Sequence, residues 1–408
     1  NKYASPTTAT ASATKTWVNG PSANQTGVDL TLYRKTSTGT DEEVLEPDQG
    51  TLVKGGEAPT FTYYWTGLKN TDPDGNPYTY YARESNVIDG KITVDGSSYI
   101  VNHVDNASDN STAITNTYEP PADATFTATK KWEGGPNPNK TAVPLDLYRS
   151  SDNVSNELVT GVTPQITGEV PTFTYTWENL VSRDSQGAPY TFTVKERDED
   201  ADNNVTINGS VYKVTYDINK KNVTNTYQIP KNGSAKATKI WVDGPEDDRP
   251  AVWFKLYRKD PVGITEAVPV EEAPLKKLAN GETSYTWTGL SETDFHGGPY
   301  TFIVKEVDAS GNDWTPTNYT KVESGLEVTN TYTIPTDTVV AKKEWKNGPA
   351  NKPTVWFKLQ RALPNGQPTD IPAGEDGSAI LKLPNGTLSV QWENVKQTDI
   401  NGKAYTFS

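Results

Sequence analysis

The chain is 408 residues long, carries a formal net charge of -14 and contains no Cys and no Met. Without Cys there is no disulfide framework, no thiolate zinc site and no cysteine nucleophile, and two His residues, His103 and His296, cannot build a His-rich metal centre. The acidic balance argues against nucleic acid or an anionic membrane surface as partner, and no apolar run approaches the roughly 18 residues that would insert into a bilayer.

Only 33% of the residues are hydrophobic, yet the chain holds 21 Tyr, 11 Trp and 9 Phe. Disordered segments are poor in aromatics, so a folded β protein is expected. Ala13-Thr14-Lys15-Thr16-Trp17 alternates as a first strand, and Thr62-Tyr63-Tyr64-Trp65 as a second block. A turn follows at Asp72-Pro73-Asp74-Gly75, then a third block, Pro77-Tyr78-Thr79-Tyr80-Tyr81-Ala82-Arg83-Glu84, and a fourth, Thr115-Asn116-Thr117-Tyr118. The series then begins again. Ala128-Thr129-Lys130-Lys131-Trp132, Thr174-Tyr175-Thr176-Trp177, the block 189–196 ending in Val194-Lys195-Glu196, and Thr224-Asn225-Thr226-Tyr227 form a second round. A third runs from Ala237-Thr238-Lys239-Ile240-Trp241 through Ser284-Tyr285-Thr286-Trp287 and Val304-Lys305-Glu306 to Thr329-Asn330-Thr331-Tyr332. A fourth opens at Ala341-Lys342-Lys343-Glu344-Trp345 and reaches Ala404-Tyr405-Thr406-Phe407.

Four blocks recurring in one order define a tandem array. Asn1 stands 14 residues before Lys15, the same interval that separates Asn116 from Lys130. Asn1 is therefore read as the closing Asn of a preceding repeat, and the chain stops short of the Glu expected in its fourth repeat. The boundaries expected are a tail of a preceding repeat at 1–6, repeats at 7–119, 120–228 and 229–334, and an incomplete repeat at 335–408. Period-2 alternation with turn residues every 8–12 positions is the pattern of a β-sandwich or barrel. Short Pro-bearing linkers such as Tyr118-Glu119-Pro120-Pro121 favour semi-rigid spacing, so the array is expected to be an extended rod.

Face assignment is the informative step, because residues two apart on a strand share a side. Lys15 shares the face of Ala13 and Trp17, so it points into the core, as do Lys130, Lys239 and Lys343. Glu84, Glu196 and Glu306 share the apolar face of the third block, and Asn116, Asn225 and Asn330 that of the fourth. Lys and Glu are almost never fully buried unless paired. One reading is a buried Lys–Glu salt bridge beside an Asn, an arrangement that often does no better than apolar residues of equal volume. The sharper reading is covalent. Burial lowers the Lys pKa and raises the Glu pKa, so a neutral amine could attack the Asn carbonyl while the acid polarises it. A Lys–Asn amide would form and ammonia would leave.

The Lys-x-Trp start, the Tyr-Thr-Phe-x-Val-Lys-Glu block and the Thr-Asn-Thr-Tyr end resemble the Cna protein B-type (CnaB) repeats of Gram-positive surface adhesins and pilins. The resemblance covers essentially the whole chain. It implies an all-β, reverse-Ig (Ig-like) β-sandwich for each repeat and an isopeptide crosslink from the first strand to the last. The bonds implied are Lys15–Asn116 with Glu84, Lys130–Asn225 with Glu196, and Lys239–Asn330 with Glu306 as assisting acids. Asn1 and Lys343 are unpartnered in this chain. Repeat one departs from the pattern with Tyr81-Ala82-Arg83-Glu84, though Glu84 keeps its register. Lys and Asn are separated by 101, 95 and 91 residues. Treated like a disulfide, closing a loop of ~100 residues is worth roughly 4–5 kcal/mol through the unfolded state.

The function implied is the stalk of an adhesin on the bacterial cell surface, anchored to the cell wall by regions outside this segment. Its partners would be neighbouring repeats of the same longer chain, and no cofactor, metal or external substrate is expected. Two alternatives stay open: the repeats bind a host protein or glycan themselves, or they form a sortase-polymerised pilin with Lys231 of Ile229-Pro230-Lys231-Asn232 as acceptor. Trp253, Trp314 and Trp356 fall outside the shared blocks and are the candidates for ligand stacking. The run Asp198-Glu199-Asp200-Ala201-Asp202 lacks calcium-loop spacing and reads as a solvated hairpin tip.

Overall fold

The structure, a computed structural model, describes residues 3–371 and 378–408. Asn1, read from the sequence as the remnant of a preceding repeat, lies outside the described residues. Among the described residues every regular element is a strand, apart from two short 3₁₀ turns at Ser22–Asn24 and Asn137–Asn139.

Repeat one contains nine strands: β1 (Ala9–Val18), β2 (Leu30–Lys35), β3 (Glu42–Glu43), β4 (Thr51–Glu57), β5 (Thr60–Leu68), β6 (Thr79–Glu84), β7 (Lys91–Val94), β8 (Ser97–Asn106) and β9 (Ser111–Glu119). They form a six-stranded sheet in the order β4-β5-β1-β9-β8-β7 and a three-stranded sheet in the order β3-β2-β6. Strands β1 and β9, the first and last of the repeat, pair in parallel, with Lys15 opposite Ile114 and Trp17 opposite Asn116. The other pairings are antiparallel. The two sheets share one core: Ala11, Ala13, Tyr63, Trp65 and Leu68 from the larger pack with Leu32, Tyr80 and Ala82 from the smaller. Their side chains meet between the two sheets, which close a β-sandwich.

Repeat two repeats both strand orders with the same count of strands. Its first strand, Ala124–Glu133, is again parallel to its last, Asn222–Tyr227. In repeat three, Gly233–Val242 runs parallel to Glu327–Tyr332, and Val252, Phe254, Leu256 and Val304 of one sheet pack on Ala235, Ala237 and Val328 of the other. Residues 335–408 keep the antiparallel start, Thr336–Lys342 against Ser389–Lys396, around a small core of Leu359, Ile371, Trp392 and Val395.

By compactness the chain divides into two units, one of residues 1–133 with 138–226, the other of residues 134–137 with 227–408. The Asp72 turn expected from the sequence recurs at Asp184 as an Asx turn: its carboxylate accepts the backbone N–H groups of Gln186 and Ala188, each at 2.9 Å.

Trp177 is 2% exposed at the centre of the repeat-two core, whereas Ile218 stands 98% exposed on a turn. Replacing Trp177 by Ala is expected to cost about 3–5 kcal/mol, as large-to-small core changes do. Ile218→Ala should move stability by no more than about 0.5 kcal/mol. Denaturant midpoints of the two variants provide the check.

Candidate functional site

Each of the first three repeats brings together one Lys, one Glu and one Asn predicted from the sequence. Parallel pairing sets the Lys and the Asn side by side on the core face, since the Asn lies opposite the Trp two residues beyond the Lys. The Glu comes from the facing sheet, at the end of the third-block strand. In repeat one, Lys15 Nζ stands 3.7 Å from Glu84 Oε2, and Asn116 Nδ2 donates to Glu84 Oε1 at 3.0 Å. In repeat two the distances are 3.4 Å for Lys130–Glu196 and 2.8 Å for Asn225–Glu196. Repeat three gives 3.3 Å for Lys239–Glu306 and 2.8 Å for Asn330–Glu306. The side chains of all three Lys and all three Glu are 0–1% exposed.

Such burial shifts both protonation equilibria. Desolvation lowers the amines of Lys15, Lys130 and Lys239 to about 8, against the opposing pull of the neighbouring carboxylate. The same desolvation pushes the carboxyls of Glu84, Glu196 and Glu306 above the usual carboxylate range, although the Lys and the Asn both act to lower them. Moving the proton from amine to carboxylate removes two charges from the core at once, which is why the shifts run toward each other. The Asn Oδ1 atoms of all three sites, together with Lys15 Nζ, are buried without a hydrogen-bond partner. Each lacks a hydrogen bond to offset its desolvation.

From the sequence, the Trp of Lys-x-Trp marks only the core side of the strand. In the structure it is also the floor of the site: Lys15 Nζ lies 3.7 Å above the Trp17 ring, Lys130 4.2 Å above Trp132 and Lys239 4.0 Å above Trp241. The ring is pinned by its indole N–H, which donates to Thr26 O in repeat one and to Thr141 O in repeat two. The two-residue spacing was the available signal, since it stacks the two side chains on one face. The backbone N–H of Glu196 is likewise held by the Tyr216 hydroxyl, which in turn donates to Glu199. In repeat three the Glu306 N–H goes to Glu323 Oε1 instead.

Lys343 is half-buried, 4.9 Å from the centre of the Trp345 ring, with no described carboxylate or Asn at the matching positions. Lys231 is exposed at 64% and rests 3.4 Å from Glu272. The 198–202 run is mostly exposed, and Asp200 caps its own turn by accepting the N–H groups of Asp202 and Asn204. His103 and His296 are exposed. Of the three unmatched Trp residues, Trp356 is 60% exposed, while Trp253 and Trp314 are half-buried. Among the described residues no group of three or more His, Asp or Glu could hold a metal ion.

The family model described as Cna protein B-type domain matches residues 126–226 and 235–331. A collagen adhesin of Staphylococcus aureus is 41% identical over 124 residues, a stretch that covers 30% of this chain and 10% of that protein. Among solved structures, two B repeat units of the collagen-binding protein of Staphylococcus aureus align over 98% of this chain and 92% of theirs, at 18% identity and a TM-score of 0.31. A streptococcal ancillary pilin aligns over 79% of this chain and 99% of its own, at 14% identity and a TM-score of 0.19.

The geometry makes a pH prediction that needs no chemistry at the site. In Lys130→Met, Glu196 keeps its burial and loses its counter-charge, so its folded pKa rises further above the ordinary value of 4.5. Across that window the folded state holds a proton that the unfolded state releases. Stability is then greatest below the unfolded pKa and falls as pH rises toward the folded one. Urea midpoints of this variant should therefore fall as pH rises above the unfolded value, more steeply than those of Lys130→Met combined with Glu196→Gln.

Proposed function

Because the chain carries Cna protein B-type domains, at residues 126–226 and 235–331, we propose that it is a stalk segment of a bacterial cell-surface adhesin, exposed outside the cell, whose repeats are closed by intramolecular Lys–Asn isopeptide bonds. The observation that carries this reading is the threefold recurrence of a buried Lys, Glu and Asn in mutual contact. A single buried triad would be an oddity. Three at one structural position, each with an unpartnered Asn carbonyl, are a repeated chemical design.

The reaction balances within each repeat. The neutral Lys130 amine attacks Asn225 Cγ, with Glu196 in its acid form polarising Oδ1 once the carboxamide turns to present it. The tetrahedral intermediate collapses, Glu196 relays a proton to the departing nitrogen, and ammonia leaves. One C–N bond breaks, another forms, and no oxidant is consumed. Holding the reactants in a dry, fixed geometry supplies much of the rate. Each repeat turns over once, so the protein is not an enzyme toward any external substrate.

The repeat boundaries at 7–119, 120–228 and 229–334 are part of this proposal, as are crosslinks Lys15–Asn116, Lys130–Asn225 and Lys239–Asn330. The alternative in which the repeats bind a host molecule rests on Trp356 alone among the unmatched Trp residues, because the other two are half-buried.

Intact mass of the denatured chain is the direct test. It should fall short of the sequence mass by three ammonia molecules, and an unshifted mass would sink the crosslink reading. Glu196→Ala should return one ammonia to the mass and leave the other two repeats as they were.

A further inference from the structure

Beyond the triads, a second set of residues recurs at the places where one repeat meets the next. The first strand of each repeat runs into an Asn-Gly-Pro-like turn: Asn19-Gly20-Pro21, Gly134-Gly135-Pro136, Asp243-Gly244-Pro245 and Asn347-Gly348-Pro349. All four have two successive left-handed residues, with φ of 61° and 85°, 68° and 75°, 60° and 81°, and 59° and 93°. Three of these turns meet an Asp-x-x-Gly turn farther along the chain. Gly20 N–H donates to Ser185 O at 2.7 Å within the first compact unit. Gly135 N–H donates to Phe295 O at 2.7 Å and Gly244 N–H to Ile400 O at 2.8 Å, both within the second.

The fit is close enough to dictate residue type. A Cβ on Gly187 would lie 2.5 Å from the Pro21 ring, one on Gly297 2.5 Å from Pro136, and one on Gly402 2.5 Å from Pro245. Gly75 occupies the same place in the Asp72 turn, at φ 88° against 86° for Gly187, and has nothing within 4 Å. Its turn is nonetheless built alike, with Asp72 Oδ1 accepting from Asp74 and Asn76. The receiving turn is thus formed by its own sequence before any neighbour reaches it.

Further contacts flank these meeting points. The closing Tyr of the fourth block bonds the residue just before the receiving Asp: Tyr227 to Thr293 and Tyr332 to Thr398, both at 3.0 Å. Tyr3 makes the same contact with Thr71 at 2.9 Å. The linker prolines are also tied down, with Pro121 O accepting from Ser182 N–H and Pro335 O from Gln397 N–H.

We propose that the Gly-Pro turn of one repeat and the Asp-x-x-Gly turn of the next are a dedicated docking pair, whose partner is the adjacent repeat and whose effect is to hold the two at one fixed angle. The pair does not depend on the crosslink chemistry, and the two ideas can fail separately. The first and second repeats test it, because both lie in one compact unit. The chain has no native Cys, so spin labels on Ser37→Cys and Ser155→Cys, both at exposed positions, report one distance without background.

Pulsed electron resonance on the full chain should give a narrow distance distribution. Gly187→Ala should broaden it, and Pro21→Ala, which removes the ring from the other side, should do so without touching a left-handed glycine. Gly75→Ala carries the same backbone strain with no neighbour to meet, so it should leave the distribution as in the parent. A broad parental distribution, no broadening in either docking variant, or equal broadening in Gly75→Ala would each overturn the proposal. Intact mass of every variant, unchanged relative to the parent apart from the substitution, keeps this outcome distinct from a loss of crosslinking.

Discussion

Taking an amine, a carboxyl and a carboxamide out of water together is the constraint around which each sandwich is arranged. An isolated buried charge is prohibitive, and a buried ion pair recovers its desolvation cost only with excellent geometry. Here both groups shift toward neutrality, and an aromatic face closes the third side. The pair is neither a strong salt bridge nor an inert polar defect. Burial biases both groups toward their neutral forms, lowering the amine and raising the carboxyl against the pull each exerts on the other.

That wall depends on topology. The first and last strands of a repeat are distant in sequence and adjacent in space. A parallel pair needs a long crossover connection, and here the connection is the rest of the sandwich. Lys and Asn come from paired strands of one sheet and the Glu from the facing sheet, so the triad is assembled by the tertiary structure and not within any one hairpin.

Much of this could be read from the sequence, and the reason is periodicity. Alternation in Ala13-Thr14-Lys15-Thr16-Trp17 and in the block ending at Glu196 assigns each polar residue a face without coordinates, and repetition removes the ambiguity that a single strand would leave. Sheet order could not be read this way, since alternation gives the face of a strand and not its neighbours. The role of Trp17 beneath the amine was hidden for a related reason: a buried Trp looks the same to a pattern whether it fills space or faces a cation. The contacts of Gly187 were hidden too, because its turn fits the ordinary Asx pattern, which does not show that the Pro21 ring packs where a Cβ would stand.

Parallel pairing of the terminal strands has a consequence for length. In a parallel pair the incoming end of β1 and the outgoing end of β9 point to opposite ends of the sheet, so pulling on the chain slides the two strands past each other instead of peeling them apart. Should they part, the 101 residues from Lys15 to Asn116 would pay out roughly 340 Å at about 3.4 Å per residue. A bond between those two side chains would withdraw nearly all of that slack. The contour of the repeat under tension would then be the short path across one strand pair, through a lysine side chain, and the sandwich beside it would be bypassed.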